Sequence, residues 1–357
     1  MKKKKILVDL SILKNINCGL GQVALNYGKY FAENYTGNED YELYLLLPKK
    51  MFGLFGNKVK YVPASKLYKH FPFFMPKFDV WHSIHQLSRF EPTYKDTKVI
   101  LTIHDFNFIY EKQDNPEKVS RYLKKIQRKI DRADKITCIS EFAKKETEKY
   151  AQLRGKNIQV IYNGVERLDE TKAMKPDFVK SDKPFFFTIG QIKPKKNFHV
   201  LLPLMKLFPD KELYIAGQDE GAYADSIKQT IKDENIENAH LVGAISNEER
   251  IWLYKNCEAF VFPSLFEGFG LPVIEAMYFG KPVFSSKETS LKEIGGDRAF
   301  FWDNFSPESM KKVIDDHLAP FYSSPIEPLK NIEYAESFSY EKHMAQYIKI
   351  YKEELKK

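Results

Sequence analysis

Short apolar runs alternate with segments of helical periodicity along almost the whole chain, and this pattern constrains the fold more than any other feature. Such alternation is typical of parallel α/β sheets, in which a crossing helix follows each strand. We predict strands at 6–10, 43–47, 80–83, 99–104, 135–140, 159–162, 185–190, 213–217, 240–243, 259–263 and 282–285. At 357 residues, the chain is long enough for two such sheets.

The sequence becomes polar and loses its periodicity between residues 167 and 183. We therefore predict an N-terminal domain over 1–168, a linker over 169–183 and a C-terminal domain over 184–338, with a last helix over 339–357. In doubly wound sheets, ligands bind at the carboxyl ends of the strands. Two similar domains joined by a linker would bring these edges face to face, so we expect the functional site in a cleft between them.

The segment from Ser264 to Phe284 carries the most specific functional pattern. Glu267 and Glu275 are separated by seven residues, and a glycine-rich loop over 268–271 lies between them. Proline at position 272 and glycine at 280 predict the start and the end of a helix. The free N–H groups at such a helix start favour an anion, so this pattern predicts a phosphate site. The alternative is a strand, turn and helix that only pack a core, with the first glutamate in solvent.

This segment, SLFEGFGLPVIEAMYFGKPVF, resembles the E-x7-E motif of glycosyltransferase family 4, whose members are retaining, nucleotide-sugar-dependent GT-B enzymes. The resemblance continues through ISEFAK at 139–144, IYNGV at 161–165 and the Val242-Gly243 pair, and it thins between about 49 and 78. It implies an α/β fold of the GT-B type, with two doubly wound Rossmann-like domains facing a central cleft. It also implies that the last helix packs back on the first domain, whereas docking on its own domain is the alternative.

The resemblance implies roles for the two glutamates and for a basic segment, FTIGQIKPKKNF. In this segment we predict that a buried strand ends at Gly190 and that a turn then presents the lysines at the start of a helix. Glu275 is expected to bind the ribose hydroxyls, and Glu267 the hydroxyls of the donor sugar, with its part in bond breaking left open. Lys196 matches the lysine that binds the donor diphosphate and would replace a metal. The alternative for this segment is a solvated basic loop.

One position departs from the family pattern. Gln191 stands where many members carry arginine, and Lys195 is the candidate to supply the missing charge, although lysine lacks the bidentate fork of arginine. The full set of expected donor-binding residues is Gly19, Gly21, Gly190, Gln191, Lys195, Lys196, Gly243, Gly268, Phe269, Gly270, Leu271 and Glu275. Gly19 and Gly21 form only a G-x-G pattern, which also suits a tight structural turn.

Histidines at the end of two predicted strands are the acceptor-side candidates. His104 and Asp105 resemble the family's His-Asp pair, in which the histidine lies next to the transferred sugar, although a local hydrogen bond is the alternative. We therefore expect catalysis to depend on His104, Glu267 and Lys196. His82 and His85 are weaker candidates that we interpret as polar lining of the same cleft, since no carboxylate or cysteine with metal-ligand spacing accompanies them.

Composition restricts cofactors and partners. There is no Asp-x-Asp sequence, and the three cysteines are far apart, so we expect neither a metal nor another cofactor and predict a reducing, cytoplasmic compartment. The net charge of +8 favours anionic partners, yet no nucleic-acid-binding motif is present. Aromatic residues interleaved with lysine at 51–55 and 67–78 predict peripheral docking on an anionic inner membrane, with packing onto the domain as the alternative.

The first prediction is thus a metal-independent, retaining hexosyltransferase that uses a nucleotide diphosphate sugar and a glycan or lipid-linked glycan acceptor. Surface polysaccharide synthesis is the process that the resemblance implies. A non-catalytic sugar-nucleotide-binding protein and a nucleotide-sugar 2-epimerase on the same fold are the alternatives. The identities of the base, the sugar and the acceptor are left open, as is the oligomeric state.

Overall fold

The computed structural model describes residues 3–16 and 18–356, which fold into two α/β units. The first unit extends to Gly164 and resumes at Tyr340, and the second runs from Val165 to Ser339. In each unit the strands of the sheet pair in parallel. The predicted fold class of two parallel-sheet α/β domains is confirmed.

The first unit is built on a seven-stranded sheet. Its strands are β1 (Lys4–Asp9), β2 (Tyr41–Leu47), β3 (Lys60–Pro63), β4 (Val80–Ser83), β5 (Lys98–Ile103), β6 (Lys135–Cys138) and β7 (Ile158–Val160). Its first helices are α1 (Gly19–Asn34), α2 (Lys66–His70), α3 (Phe108–Glu111), α4 (Pro116–Arg132) and α5 (Glu141–Tyr150). The strand order is β3-β2-β1-β4-β5-β6-β7, so the chain begins near the middle of the sheet and winds to both sides.

The second unit has a six-stranded sheet. Its strands are β8 (Phe185–Ile189), β9 (Glu212–Ala216), β10 (Ala239–Gly243), β11 (Ala259–Phe262), β12 (Val283–Ser286) and β13 (Ala299–Trp302). Its helices are α6 (Leu201–Met205), α7 (Ala222–Asp233), α8 (Asn247–Asn256), α9 (Leu271–Tyr278), α10 (Leu291–Gly295), α11 (Pro307–Ser323) and α12 (Ile326–Glu336). The order β10-β9-β8-β11-β12-β13 reverses direction between β8 and β11, and this is where open α/β sheets bind ligands.

The last helix, α13 (Tyr340–Leu355), belongs to the first unit. The hydroxyl of Tyr347 lies 2.9 Å from the side-chain oxygen of Thr102 and 3.0 Å from that of Thr137, so the helix is tied to the central strands β5 and β6. Tyr347 and Tyr351 are both fully buried. Burial of each such side chain contributes roughly 1.5–3 kcal/mol, which makes α13 part of the core of the first unit.

Residues 169–183, the predicted linker, form part of the second unit instead. The N–H of Met174 donates to the Glu248 carbonyl at 3.1 Å, and the ring of Phe178 lies 5.8 Å from that of Tyr214. The chain passes between the units at two neighbouring points, since Val165 pairs with Ser339 in an isolated bridge. We predicted a linker here from the polar composition of the segment, but its few apolar residues, such as Phe178, are enough to hold it against the second sheet.

Two strands were not predicted. Strand β3 lies at the edge of the first sheet and has only one buried residue among its four, so its composition resembles that of a loop. Strand β13 lies at the edge of the second sheet and is half-buried at its centre. The eleven predicted strands match β1, β2 and β4–β12. Nine of them are inner strands, whose burial requires continuous apolar runs, and the other two, β7 and β10, are edge strands.

Candidate active site

The E-x7-E segment forms the predicted turn and helix. Gly270 adopts φ of +111° directly before α9, a left-handed conformation that favours glycine. Pro272 lies in the first turn of the helix, and Gly280, with φ of +64°, follows its end. The first glutamate is thus placed in the turn after β11, and the second is fixed within α9.

Glu267 forms a buried ion pair with Lys196 in the second unit. The Nζ atom of Lys196 lies 2.5 Å from Oε1 of Glu267, and the two side chains are only 11% and 15% exposed. The ammonium group also lies 4.9 Å from the centre of the Phe262 ring. Since these residues are 71 positions apart in sequence, the fold brings the predicted phosphate lysine and the predicted sugar-binding carboxylate together.

Further hydrogen bonds fix the carboxylate and its backbone. The hydroxyl of Ser264 donates to Oε1 of Glu267 at 2.7 Å, and the Glu267 N–H donates to the side-chain oxygen of Thr289 at 3.0 Å. Burial alone would raise the pKa of Glu267. Lys196 and Lys195, together with the Ser264 hydroxyl, hold this pKa below its usual value instead. The carboxylate is therefore ionised at neutral pH, and it is a weak base.

Two glycines allow the backbone to approach Lys196 and the neighbouring strand closely. A Cβ atom on Gly190 would lie 3.0 Å from Cε of Lys196 and 3.3 Å from its Nζ. Gly217, with φ of +149°, leaves no room for a side chain, because its Cβ would lie 1.8 Å from the Gly190 carbonyl oxygen. The N–H of Gly217 donates to the carbonyl of Gly243, whose φ is +73°. Gly190 follows β8, Gly217 follows β9 and Gly243 ends β10, so all three lie at the carboxyl edge of the sheet.

The predicted helix start at Lys196 is wrong. Pro194–Lys196 form a single 3-10 turn, Asn197 adopts a left-handed conformation with φ of +57°, and the regular helix α6 begins only at Leu201. Asparagine tolerates this conformation, which interrupts helical propagation. Lys196 can therefore offer a ligand its own charge, but it does not lie at the start of a regular helix. Gln191 and Lys195 are both half-buried.

Glu275 has partners on the preceding helix, α8. The Tyr254 hydroxyl donates to Oε2 of Glu275 at 2.9 Å, and an Nη atom of Arg250 lies 3.4 Å from Oε1. The Arg250 side chain is 16% exposed, and the buried Nε atom has no hydrogen-bond partner in the described residues. Sequence reasoning missed both partners, although their i, i+4 spacing places them on one side of α8.

Phe269 does not offer its side chain to a ligand. It is buried, and its ring lies 5.8 Å from that of Phe338 in an edge-on contact. The hydroxyl of Ser290 donates to the carbonyl oxygens of Glu267 and Phe269, at 3.0 Å each. Gly268 is likewise buried, and Leu271 begins α9. From Gly268 to Gly270 this loop can therefore offer a ligand only backbone groups.

In the first unit, His104 is buried after the end of β5. Its Nε2 atom lies 2.8 Å from the Ile84 carbonyl oxygen, so Nε2 carries the proton and Nδ1 is left as an acceptor. Burial lowers the pKa of His104 to about 4, and the hydrogen bond to Ile84 opposes this shift. The imidazole is therefore neutral at pH 7. The side chain of Gln86 links His104 to Asp105, because it accepts from the His104 N–H and donates to the Asp105 carbonyl.

Of the two weaker histidines, only His85 lies close to His104. Their ring centres are 6.3 Å apart, and burial lowers the pKa of His85 well below its usual value. The interpretation of His82 as lining of a ligand site is wrong. His82 is fully buried, its Nδ1 lies 2.7 Å from the Tyr351 hydroxyl, and its ring stacks on Tyr347. It belongs to the interface of α13 with the sheet.

The G-x-G pattern has a packing explanation at one of its two positions. A Cβ atom on Gly21 would lie 2.2 Å from the Asn15 carbonyl oxygen, so only glycine allows this contact between α1 and the preceding 3-10 turn. Gly19 has open space around its Cβ position, and Cys18 caps the helix through the Gly21 N–H. Gly21 is therefore required by the fold, and Gly19 stays a predicted donor contact.

Over residues 3–16 and 18–356, no group of three or more His, Cys, Asp or Glu side chains could hold a metal ion. The cysteines Cys18, Cys138 and Cys257 are all free thiols. Within the same part of the chain, every helix is too short or too polar to cross a bilayer.

Two mannosyltransferases of Escherichia coli are similar in sequence. O-antigen chain mannosyltransferase B is 26% identical over 278 residues, which are 71% of this chain and 70% of the relative. The serotype-specific mannosyltransferase WbdA is 26% identical over 242 residues, which are 62% of this chain but only 29% of WbdA. This chain therefore spans less than a third of that second relative.

The fold is also found in a solved structure. HepE from Anabaena, in complex with UDP and glucose, superposes with a TM-score of 0.69 at 15% identity, over 98% of this chain and 100% of HepE. Two family models match the sequence, one described as Glycosyltransferase Family 4 over residues 29–167 and one as Glycosyl transferases group 1 over residues 169–337. The two matches cover most of both α/β units, and the chain therefore belongs to the family 4 glycosyltransferases, which have the GT-B fold.

Proposed function

We propose that this glycosyltransferase moves a hexose, with mannose as the first candidate, from a nucleotide diphosphate sugar to a glycan or lipid-linked glycan during synthesis of a bacterial surface polysaccharide. The observation that carries this proposal is the buried Lys196–Glu267 pair beside Gly190, at the carboxyl edge of the second sheet. Mannose is favoured because both similar E. coli proteins are mannosyltransferases.

Loss of the donor diphosphate creates negative charge that must be stabilised in the transition state. Lys196 supplies a cation with little access to water, and Lys195 is close enough to act on the same carboxylate. A charge in such a site interacts more strongly with phosphate than it would in bulk water. Backbone N–H groups before and within the first turn of α9 add to this attraction, because the start of that helix lies next to Glu267 in the chain.

The two carboxylates of the motif have different proposed roles. Glu275, held by Tyr254 and Arg250, accepts hydrogen bonds from the two ribose hydroxyls. Glu267 orients Lys196 and contacts the sugar hydroxyls. Its lowered pKa makes it a poor base, so we do not assign it the proton of the acceptor.

We propose that the reaction retains the anomeric configuration. The bond between the sugar C1 and the phosphate oxygen breaks, the acceptor oxygen forms a bond to C1 on the same face, and the acceptor proton passes to the departing phosphate oxygen. This balance requires no separate base. His104 contributes as a neutral hydrogen-bond acceptor for a sugar or acceptor hydroxyl through Nδ1, which is consistent with its low pKa.

We further propose that the reaction needs no metal, with Lys196 supplying the charge that a bridging cation provides in other transferases. The acceptor is proposed to be lipid-linked and to be reached at the cytoplasmic face of the membrane. The 2-epimerase and the non-catalytic binding protein are left as outcomes of the test, because nothing in the structure of residues 3–16 and 18–356 favours either of them.

The test combines donors with acceptor glycans and measures both nucleoside diphosphate release and glycosylated product. GDP-mannose, UDP-glucose and UDP-N-acetylglucosamine are compared, with and without EDTA, and the product anomer is identified by NMR. We expect product only with the mannose donor, an unchanged rate in EDTA, and loss of turnover by about 100-fold or more in Lys196→Met. Conversion of the donor without any acceptor would show an epimerase. Nucleotide binding without turnover on any donor would show a binding protein, and an inverted anomer would refute the proposed mechanism.

A further inference from the structure

An exposed cluster of apolar side chains lies on α2 and the 3-10 turn that follows it. It consists of Leu67, Phe71, Phe73 and Phe74, whose side chains are between 49% and 61% exposed. The rings of Phe73 and Phe74 are 4.4 Å apart, and Phe71 lies 6.0 Å and 6.5 Å from them. We call this group the aromatic projection. An exposed apolar patch of this kind usually marks a binding surface.

The aromatic projection is held in place by buried neighbours. Met75 and Phe78 are 2% exposed and pack in a core cluster with Trp81, and Tyr68 packs against the same cluster. The Ser65 hydroxyl accepts from the Tyr68 N–H and caps α2. Some aromatics of residues 67–78 therefore pack onto the domain, as the packing alternative expects, while others are fixed in an exposed position, and docking on a membrane stays a prediction.

The second aromatic segment is mostly packed. Phe55 is buried against Gly28 of α1, where a Cβ atom would lie 2.2 Å from the ring, and Phe52 stacks on Tyr61 at 5.3 Å. Only Leu54 is as exposed as the members of the aromatic projection. The membrane prediction for residues 51–55 therefore receives less support than that for 67–78.

The electrostatics around the aromatic projection favour an anionic surface. Residues 49–78 contain seven lysines and no aspartate or glutamate. Lys77 pairs with Asp96, whereas neither Lys66 nor Lys69 forms an ion pair within residues 3–16 and 18–356. Lysine is depleted in protein–protein interfaces, but lysine beside exposed aromatics is typical of segments that bind anionic bilayers.

We propose that the aromatic projection inserts into the interfacial region of an anionic phospholipid bilayer, with Lys66 and Lys69 against the lipid phosphates. This inference deepens the proposed function, since it rests on an acceptor that is lipid-linked. The aromatic side chains supply the apolar area that leaves water, and the lysines supply attraction that salt screens. The first unit thereby holds the enzyme at the surface where such an acceptor is found.

The test is co-sedimentation of the full chain with vesicles of phosphatidylglycerol and phosphatidylcholine, or of phosphatidylcholine alone. The variants are Phe73→Ser/Phe74→Ser and Lys66→Gln/Lys69→Gln. Leu329→Ser, which changes a 62% exposed leucine of the second unit, is the apolar control. Replacement of the exposed lysines of the second unit, Lys232→Gln/Lys292→Gln, is the charge control. All of these positions are exposed, so circular dichroism is expected to show unchanged folding.

We expect binding to anionic vesicles that falls by about tenfold or more between about 0.1 and 1 M salt, where the Debye length shrinks from about 10 to 3 Å. Each double variant in the aromatic projection is expected to lose about tenfold in binding, while both controls bind like the wild type. Emission of Phe73→Trp is expected to shift to the blue and to be quenched by brominated lipid.

Three outcomes would overturn the proposal: no binding to anionic vesicles, equal binding by the Phe73→Ser/Phe74→Ser variant, or a wild-type dimer that this variant converts to a monomer. The last would show that a second copy covers the surface. Transfer to a water-soluble acceptor is measured in parallel and is expected to be unchanged in these variants. Vesicle binding without any sugar transfer would refute the proposed function but not the membrane-binding role of the aromatic projection. Sugar transfer without vesicle binding would refute the membrane-binding role but not the proposed function.

Discussion

The Lys196–Glu267 pair allows the roles of these residues in folding and in donor binding to be separated. We consider the single variants Lys196→Met and Glu267→Gln and the double variant that contains both. The pair is largely buried, with a separation of 2.5 Å between Nζ and Oε1. In Lys196→Met, the ionised Glu267 keeps the Ser264 hydroxyl as a partner but loses its countercharge.

Removal of one partner from a buried ion pair costs about 3–5 kcal/mol, whereas replacement of both by neutral groups of similar size is close to neutral. For a unit of this size, the single change is expected to lower the Tm by roughly 6–20 °C. The double variant is expected to recover most of this loss. Lys206 and Glu234, 2.8 Å apart but each nearly half exposed, serve as a matched pair whose double-mutant cycle is expected to show little coupling.

The assay is thermal unfolding of each variant with and without GDP or UDP. Wild type is expected to gain stability as ligand is added, according to RT ln(1 + [L]/Kd). The double variant is expected to fold like the wild type and to gain nothing from the nucleotide, because Lys196 is absent. A Lys196→Met variant that unfolds at the wild-type temperature would refute the buried pair. A double variant that keeps the full nucleotide shift would refute the diphosphate assignment.

Three further predictions concern other positions. Gly217→Ala is expected to destabilise the second unit by about 3 kcal/mol in urea unfolding, because the new Cβ atom meets a backbone carbonyl. The control is Gly221→Ala, which has a φ of +100° but open space around its Cβ position and is expected to cost about 1 kcal/mol. Equal costs for the two variants would contradict the contact at Gly217. Tyr254→Phe removes a hydrogen bond to the second glutamate of the motif and is expected to weaken nucleotide binding about tenfold by calorimetry, and an unchanged Kd would contradict its positioning role. Acid is expected to unfold the first unit before the second, since burial lowers the pKa of His104 and of His343 from 6.5 to about 4. The unfolded chain binds a proton at each histidine below about pH 6.5, whereas the folded chain does so only near pH 4. Each histidine therefore contributes about 3 kcal/mol of stability that is present above pH 6.5 and is lost as the pH falls towards 4. The measurement is hydrogen exchange of each unit as the pH is lowered, and simultaneous unfolding of both units would refute the predicted order.

The central strands were predictable because burial on both sides of a parallel sheet requires continuous apolar runs, as in Phe185–Ile189. Strand β3 was not, since only one of its four residues is buried and its composition resembles that of a loop. The turn and helix of the E-x7-E segment were also predictable, because proline and glycine mark the ends of α9 through local backbone chemistry.

Tertiary contacts decided the positions that sequence reasoning misjudged. His82 is paired with Tyr351, which lies 269 residues away, so no local pattern shows that it is buried under α13. The helix predicted at Lys196 is displaced to Leu201 because Asn197 turns the backbone into the left-handed region. The ion pair of Lys196 with Glu267 was not predicted, since the resemblance implies only that each residue contacts the donor, and neither residue type nor spacing shows that they pair.

The position of α13 has a consequence for biosynthesis. The first unit lacks its final core helix until the whole of the second unit has been translated, since residues 340–355 follow residues 165–339 in the chain. The nascent protein must therefore keep an unfinished sheet, with the sites for Tyr347 and Tyr351 uncovered, while the downstream unit completes its own core. Such exposed apolar surface attracts chaperones and promotes aggregation. Deletion of α13 is accordingly expected to unfold the first unit, which is the part of the protein that is translated first.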